Sequence, residues 1–157
     1  MKIELLMVGK TSFSYLEEGI LMYSKRLTHY LSFSTTVIPD QKNVTNINAE
    51  QLKKLEGATI LKKILADDYL VLLDEQGKSW SSVEFSKWIE KKLQSQQKRI
   101  IFLIGGAYGF SEDVYSRANE QWSLSKLTFS HQMIRLFAVE QIYRAMTIIK
   151  NEPYHNS

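Results

Sequence analysis

Short runs of apolar residues recur along this sequence, and segments with helical spacing separate them. Residues 69–73 and 100–104 are apolar throughout, without the polar alternation of a half-exposed strand. A strand that is apolar on both faces has to be covered on both faces, which is typical of a parallel sheet between layers of helices. With no linker or repeat in the sequence, the pattern predicts a single α/β domain, residues 1–157, built on a mostly parallel sheet.

Local signals place the expected elements. Two capping boxes, Asn48 with Gln51 and Ser81 with Glu84, mark helix starts, and Ser111 suits a third. Strands are predicted at residues 3–8, 33–38, 69–73, 100–104 and 122–129. Helices are predicted at residues 13–31, 49–65, 83–93 and 131–149, with a polar loop at 41–48 and a turn at 76–79.

The absence of cysteine from the sequence limits the chemistry. It excludes a disulfide scaffold, a thiol nucleophile, an iron–sulfur cluster and a cysteine-type zinc site. The three histidines, His29, His131 and His155, lack the spacing of metal ligands, so no metal is expected. The 20 Lys and Arg against 17 Asp and Glu give a net charge of +3, which permits a nucleic-acid partner without requiring one.

The apolar residues are too dispersed for a membrane span. No apolar stretch reaches the roughly 18 residues that a transmembrane helix needs. The first residues lead directly into a strand, and Glu4 lies within the apolar run, which does not fit a signal peptide. We therefore expect a cytoplasmic protein without a membrane partner.

The last predicted helix is apolar nearly all round. Of the 17 residues from 133 to 149, 12 are apolar, whereas a helix on one face of a sheet needs only a stripe of about 100°. A small domain has little room to bury such a helix, so we expect a homodimer with this helix in the interface. A central core helix in a monomer is the alternative.

A glycine-rich loop, Gly105-Gly106 followed by Gly109, comes after a buried strand and before a helix. Glycines there let backbone N–H groups approach a ligand, and open α/β sheets bind ligands at the carboxyl ends of their strands. The loop is neither the dinucleotide fingerprint nor a Walker loop, because its glycine spacing differs and no Lys-Ser or Lys-Thr follows. A tight turn without a ligand explains it as well as a binding site does.

Further polar residues surround the start and end of the last helix. His131 and Arg135 are one turn apart and suit an anion-binding face, whereas Glu140 and Arg144 have the spacing of a helix ion pair. The segment before the helix alternates in polarity like a strand and is also expected at the carboxyl edge of the sheet. It consists of Leu124, Ser125, Lys126, Leu127, Thr128 and Phe129.

Six short motifs occur in order along nearly the whole chain. They are Val8-Gly9-Lys10, Leu73-Asp74-Glu75-Gln76-Gly77-Lys78, Ile104-Gly105-Gly106, Ser125-Lys126-Leu127-Thr128-Phe129, Glu140-Gln141-Ile142-Tyr143-Arg144-Ala145 and Pro153-Tyr154-His155. Each motif alone is weakly specific. Together they resemble the RlmH-type large-subunit rRNA pseudouridine N3-methyltransferases of the SPOUT superfamily.

The resemblance implies a fold, a cofactor and a substrate. In this family the C-terminal part of the α/β domain threads a deep trefoil knot, whose loops hold S-adenosyl-L-methionine bent, and a homodimer completes the active site. The implied substrate is a pseudouridine of 23S rRNA, methylated at N3 in the assembled 70S ribosome. By the family's motifs, the cofactor contacts Leu73, Gly105 and residues 124–129.

The resemblance also implies roles for the last helix and the tail. An activated methyl donor needs no metal or nucleophilic side chain, only the alignment of sulfur, methyl and acceptor nitrogen. We expect Arg135, Arg144 and His155 to favour the deprotonated acceptor, with His155 a candidate general base. We expect Tyr154 to stack on the target nucleotide. Two departures from the family are Ser130, where proline is usual, and Asn156, where a basic residue is usual.

Three other functions fit parts of the sequence. The first is a SPOUT methyltransferase with another RNA target. The second is a ribosome-associated binding module without catalysis. The third is a nucleotide-binding α/β domain that uses the glycine loop for phosphates.

Overall fold

Strands and helices alternate along the residues that the structure, a computed structural model, describes, namely 1–41 and 45–156. The strands are β1 (Lys2–Val8), β2 (Ser32–Ile38), β3 (Tyr69–Ser79), β4 (Arg99–Ile104) and β5 (Glu120–Ser123). The helices are α1 (Ser14–Leu27), α2 (Ala49–Leu61), α3 (Ser82–Leu93), α4 (Glu112–Arg117) and α5 (Met133–Ile149). Of the polar loop predicted at 41–48, residues 42–44 lie outside the described ranges.

The strands within these ranges form a five-stranded sheet in the order β2-β1-β4-β3-β5. β1 pairs in parallel with β2 and β4, and β3 pairs in parallel with β4 and β5. The predicted α/β fold with a parallel sheet is therefore confirmed. Because the strands all run the same way, their carboxyl ends lie along one edge of the sheet, which is where ligands bind in such folds.

Alternate residues of the central strands pack on opposite faces of the sheet. Leu5 of β1 and Phe102 of β4 pack on the side that α1, α3 and α5 cover. Leu6 and Leu103 pack on the other side, which α2 and α4 cover. The apolar runs lack polar alternation because both faces of these strands are buried.

The helix starts follow the sequence signals. Asn48 and Ser81 each accept a hydrogen bond from the backbone N–H three residues on, and the Gln51 and Glu84 side chains accept one from the cap N–H. Both predicted capping boxes are confirmed, and Ser111 caps α4 with its hydroxyl. Two predicted helices are shorter than expected, because α1 ends at residue 27 rather than 31 and α2 ends at residue 61 rather than 65.

β3 is longer than the sequence pattern indicates, and the turn predicted at residues 76–79 is wrong. Leu73 and Lys78 both pair with Trp122 of β5, so residues 74–77 bulge out and the strand continues to residue 79. Gly77 makes this approach possible, since a Cβ there would lie 2.6 Å from the carbonyl carbon of Gln121. The glycine marks a close contact between two backbones here rather than a turn.

The strand predicted at residues 122–129 ends at Ser123, so the second half of that prediction is wrong. The Ser123 hydroxyl donates to the carbonyl oxygen of Ser125 at 2.8 Å, and the Leu127 N–H donates to the Ser125 hydroxyl at 3.0 Å. Serine side chains that form hydrogen bonds with the nearby backbone compete with the hydrogen bonds between strands. An alternation of polar and apolar residues in the sequence does not reveal this competition. Residues 124–132 therefore connect β5 to a helix that begins at Met133.

α5 packs against both α1 and α3. Ala138, Val139 and Ile142 lie on its buried face and have no exposed surface. Phe137 is 39% exposed and Ile134 is half-buried, so the helix keeps a partly uncovered apolar edge. Across the described ranges, no helix is both long enough and apolar enough to cross a membrane.

Candidate functional site

A cavity of about 540 Å³ opens at the bulge of β3, residues 73–76, and at the carboxyl ends of β4 and β5. Its wall includes most of the residues predicted to bind a cofactor, namely Leu73, Gly105, Leu124, Ser125, Leu127, Thr128 and Phe129. Lys126 is exposed and lies outside the wall. The structure thus brings the three predicted strand ends together, and their binding of a cofactor stays a prediction.

The glycine loop needs its glycines for space. A Cβ at Gly105 would lie 2.8 Å from the ring of Phe110, and a Cβ at Gly106 would lie 3.0 Å from a carboxylate oxygen of Glu56. Gly109 has a φ of +82°, a left-handed conformation that favours glycine. Since Phe110 itself lines the cavity, the loop and the residues before α4 form one packed wall.

The cavity wall also contains acidic residues that the sequence analysis did not assign to a site. Asp74 accepts a hydrogen bond from the Tyr115 hydroxyl of α4, and Glu75 accepts one from the Thr128 hydroxyl at 3.0 Å. Burial, and then the hydrogen bond to Asp74, raise the pKa of Tyr115 to about 12, so this phenol remains a donor. The position of Asp74 in the sequence could have identified it as a candidate site residue. It directly follows the buried run of β3, at the edge of the sheet where ligands bind in such folds. No cluster of three metal-ligating side chains occurs in the part of the chain that the structure describes.

Arg135 has no exposed surface, which corrects the prediction that it contacts a substrate. Its guanidinium donates to the carbonyl oxygens of Val8 at 2.7 Å and Gly9 at 2.8 Å, and to the Thr11 hydroxyl at 3.1 Å. Its Nε donates to the carbonyl oxygen of His131 at 3.0 Å. The side chain therefore ties the loop after β1 to the segment before α5, and backbone carbonyl oxygens and the negative charge of Asp40 offset the cost of burying its charge.

Three of the predicted substrate residues lie together near the C-terminal end of α5. They are Arg144, Tyr154 and His155, and their contact with a substrate stays a prediction. Arg144 forms the expected ion pair with Glu140 at 2.6 Å and approaches His155 Nδ1 at 3.2 Å. The Tyr154 hydroxyl donates to the same Glu140 oxygen at 2.9 Å. The predicted ion pair is therefore confirmed, and it also orients the tail.

Aromatic side chains hold this tail against α1 and α5. The Tyr154 ring meets Tyr143 edge-on at 4.8 Å between centroids, and its hydroxyl lies 3.4 Å from that of Tyr23. Arg144 lies over the Tyr154 ring at 4.7 Å. Burial, followed by the hydrogen bonds to Tyr23 and Glu140, raises the pKa of Tyr154 above its usual range. The tail is thus a packed part of the domain.

The cavity and the tail cluster lie at opposite ends of the same helix. Ile134 lines the cavity, whereas Arg144 is ten residues further along α5, about 15 Å at the rise of an α-helix. Neither Tyr154 nor His155 belongs to the cavity wall among the described residues. One chain therefore keeps its predicted cofactor residues apart from its predicted substrate residues.

Nearly the whole chain matches a known protein family and named relatives. The family model described as "Predicted SPOUT methyltransferase" matches residues 1–155. The chain is similar to proteins named ribosomal RNA large subunit methyltransferase H, with 57% identity to that of Parabacteroides distasonis and 53% to that of Christiangramia forsetii. Each match covers 156 residues and 99% of both chains.

Among solved structures, the chain is similar to a putative methyltransferase from Legionella pneumophila in complex with the cofactor SAM. The TM-score is 0.51 and the identity 14%, over 92% of this chain and 66% of that one. At this identity the likeness shows the fold alone.

Proposed function

The chain belongs to the SPOUT methyltransferase family, and from that premise we propose that it methylates N3 of a pseudouridine in the 23S rRNA of the assembled 70S ribosome. The observation that carries the proposal is 57% and 53% identity, over 99% of both chains, to relatives named for methylation of large-subunit ribosomal RNA. The six ordered motifs narrow the target to a pseudouridine. Because ribosomes work in the cytoplasm, we also propose a cytoplasmic location.

The cavity at the strand ends fits S-adenosyl-L-methionine. Its volume of about 540 Å³ suits a small cofactor, and its wall combines the apolar Leu73 and Phe129 with the hydroxyls of Ser125 and Thr128. Gly105 leaves room for the ring of Phe110, which also lines the cavity. When bound there, the cofactor supplies a methyl group already activated on a sulfonium. We assign Leu73, Gly105 and residues 124–129 to its binding, with Lys126 acting from the solvent side.

Arg144 and His155 are the groups that act on the acceptor base in this proposal. A guanidinium can only donate hydrogen bonds, so His155 Nδ1 accepts from Arg144 and the neutral ring carries its proton on Nε2. In this arrangement both side chains are donors. They therefore stabilise an acceptor that has lost its imide proton, which favours an electrostatic role for His155 over that of a general base.

A homodimer explains why one chain keeps the two sets of residues apart. If the tail of one subunit reaches the cavity of the other, Tyr154 and His155 meet the cofactor without moving from Glu140. The partly uncovered apolar edge of α5, which includes Phe137 and Ile134, provides a surface that a second copy can cover. We therefore include homodimerisation, with a site shared between subunits, in the proposed function.

Methylation of ribosomes from a strain that lacks this activity tests the proposed function. We expect the wild-type protein and S-adenosyl-L-methionine to add one methyl group, which mass mapping of 23S rRNA fragments locates on a pseudouridine. His155→Ala should reduce the rate about 100-fold while leaving cofactor binding unchanged. Glu90→Gln, on the exposed surface of α3, is the matched control and should act like wild type.

Each contrary outcome has a separate meaning. A wild-type protein that binds the cofactor but methylates no ribosomal base contradicts the enzymatic proposal. Methylation at another RNA position contradicts the target alone. Full activity of His155→Ala contradicts the role of the tail.

A further inference from the structure

The charged groups on the cavity wall are mostly acidic. Asp74 and Glu75 both line the cavity, and the other ionisable groups of its wall are the Tyr115 phenol and His131, two residues before α5. Within the described ranges, no lysine or arginine belongs to the wall. A site with this composition attracts a cation more strongly than a neutral molecule.

Asp74 is the better placed of the two carboxylates. Its Oδ1 accepts the Gln76 N–H at 2.9 Å, and its other oxygen accepts the Tyr115 hydroxyl, so the side chain is fixed from two directions. These bonds leave lone pairs free on a carboxylate that can accept about four hydrogen bonds. Asp74 is half-buried, whereas Glu75 is exposed, so solvent and salt screen the charge of Glu75 more.

We propose that Asp74 is a specificity-determining residue that makes the cavity prefer the sulfonium form of the cofactor over the neutral thioether left after methyl transfer. This inference rests on the proposed use of S-adenosyl-L-methionine. The donor and its demethylated product share the same adenosine, ammonium and carboxylate groups. They differ by one methyl group and one positive charge, so the ratio of their affinities isolates what the cavity does with that charge.

The preference has a consequence for turnover. When the methyl group leaves, the electron pair of the carbon–sulfur bond stays on sulfur, and the cationic sulfonium becomes a neutral thioether. The attraction to Asp74 then disappears within the same cavity. Product release is therefore favoured by the chemistry itself, without any movement of the carboxylate.

Calorimetric titration of the dimeric protein with three ligands tests the inference. The ligands are S-adenosyl-L-methionine, S-adenosyl-L-homocysteine and an analogue that carries an amine in place of the S-methyl group, which keeps the charge without the sulfonium. We expect Asp74→Asn to weaken binding of both cationic ligands about tenfold and to leave the neutral product within a factor of two. Asparagine keeps the size of the side chain, and its oxygen can still accept the Gln76 N–H, whereas its NH2 group replaces the acceptor of the Tyr115 hydroxyl, which can rotate to accept from it.

Glu75→Gln and Glu90→Gln are the matched controls. Glu75→Gln removes the screened charge and should change the affinity ratio less than Asp74→Asn does, while Glu90→Gln removes a charge far from the wall and should not change it. The inference is overturned if Asp74→Asn weakens all three ligands equally, or leaves all three unchanged. If the wild-type protein binds none of them, the proposed function fails instead.

Discussion

Arg135 and Arg144 lie at opposite ends of α5 and have contrasting environments. Arg135 has no exposed surface and donates to oxygens of the β1 loop and of His131. The Arg144 side chain is 24% exposed, pairs with Glu140 and reaches His155 in the tail. The same helix therefore supports the chain's own cavity at one end and orients the polar groups of the tail at the other, where we propose that they meet the substrate.

The largest effect we predict is on stability, from Arg135→Met. The substitution removes the donor to the two buried carbonyl oxygens of Val8 and Gly9 and to two partly buried oxygens, and an unsatisfied acceptor in a dry interior is costly. We expect the free energy of unfolding to fall by about 3–5 kcal/mol in a urea titration. Arg144→Met is the control and should lower it by less than about 1 kcal/mol. Similar losses of unfolding free energy for the two variants would contradict the difference that we describe between Arg135 and Arg144.

Arg144→Ala should have the second largest effect, and on catalysis rather than on folding. The variant loses a donor aimed at the acceptor base and the group that orients His155, so we expect ribosome methylation to slow about 100-fold. Affinity for S-adenosyl-L-methionine, measured by calorimetry, should stay within a factor of two because the proposal assigns Arg144 to the acceptor base and not to the cofactor. Arg144→Lys keeps the positive charge but not the planar set of guanidinium N–H donors, and should recover only part of the rate. A large loss of cofactor affinity would show that Arg144 acts on the cofactor and would contradict its assignment to the acceptor base.

Tyr154→Phe tests how firmly the tail must be held. The variant keeps the ring that packs on Tyr143 but loses the part-buried hydrogen bond to Glu140, which contributes about 0.5–1.5 kcal/mol. We expect a three- to tenfold loss of methylation rate, about a tenth of the effect of Arg144→Ala or less. An equal loss for the two variants would mean that the Tyr154 hydroxyl itself contacts the substrate.

The smallest effect concerns a second buried charged group, Glu56, behind the glycine loop. Burial, and then the negative charge of Asp40, raise the pKa of the Glu56 carboxyl. A carboxyl whose pKa is higher in the folded state contributes stability at low pH, and this contribution declines as the pH rises from the unfolded pKa, about 4.3, through the folded value. We therefore expect urea titrations to give a free energy of unfolding that favours wild type over Glu56→Gln more at pH 4 than at pH 8. The same difference at both values contradicts the shift.

The sequence predicted the sheet and its helices because burial on both faces leaves a continuous apolar run. Residues 100–104 and both capping boxes match the structure for that reason. The bulge in β3 was missed because Gly77 and its polar neighbours are compatible with a turn as well as with a close strand contact. The loop at 124–129 was missed because its serine-to-backbone bonds give the same alternation of polarity as a strand.

The site was predictable in position but not in all its residues. Three strand ends at one edge of a parallel sheet follow from topology, so Leu73 and Gly105 could be placed together. The burial of Arg135 could not be predicted from the sequence. Its hydrogen-bond partners are mostly backbone oxygens distant in the chain, and such contacts leave no recognisable pattern of residues. Asp74 was overlooked since an acid after a buried strand is equally common at a solvated strand end.

The central claim is that one active site combines the cavity of one subunit with the tail of the other. Heterodimers purified through two different tags test it, using Gly105→Val, which crowds Phe110 on the cavity wall, and His155→Ala in the tail. Placed on opposite subunits, the two substitutions should leave one intact site and about half of the wild-type methylation rate. Placed together on one subunit opposite a wild-type partner, they should leave no intact site and only the residual rate of the His155→Ala tail, about 1% of wild type or less. The reverse outcome, with activity only when both substitutions share a subunit, would show that each chain builds its own site and would contradict the account.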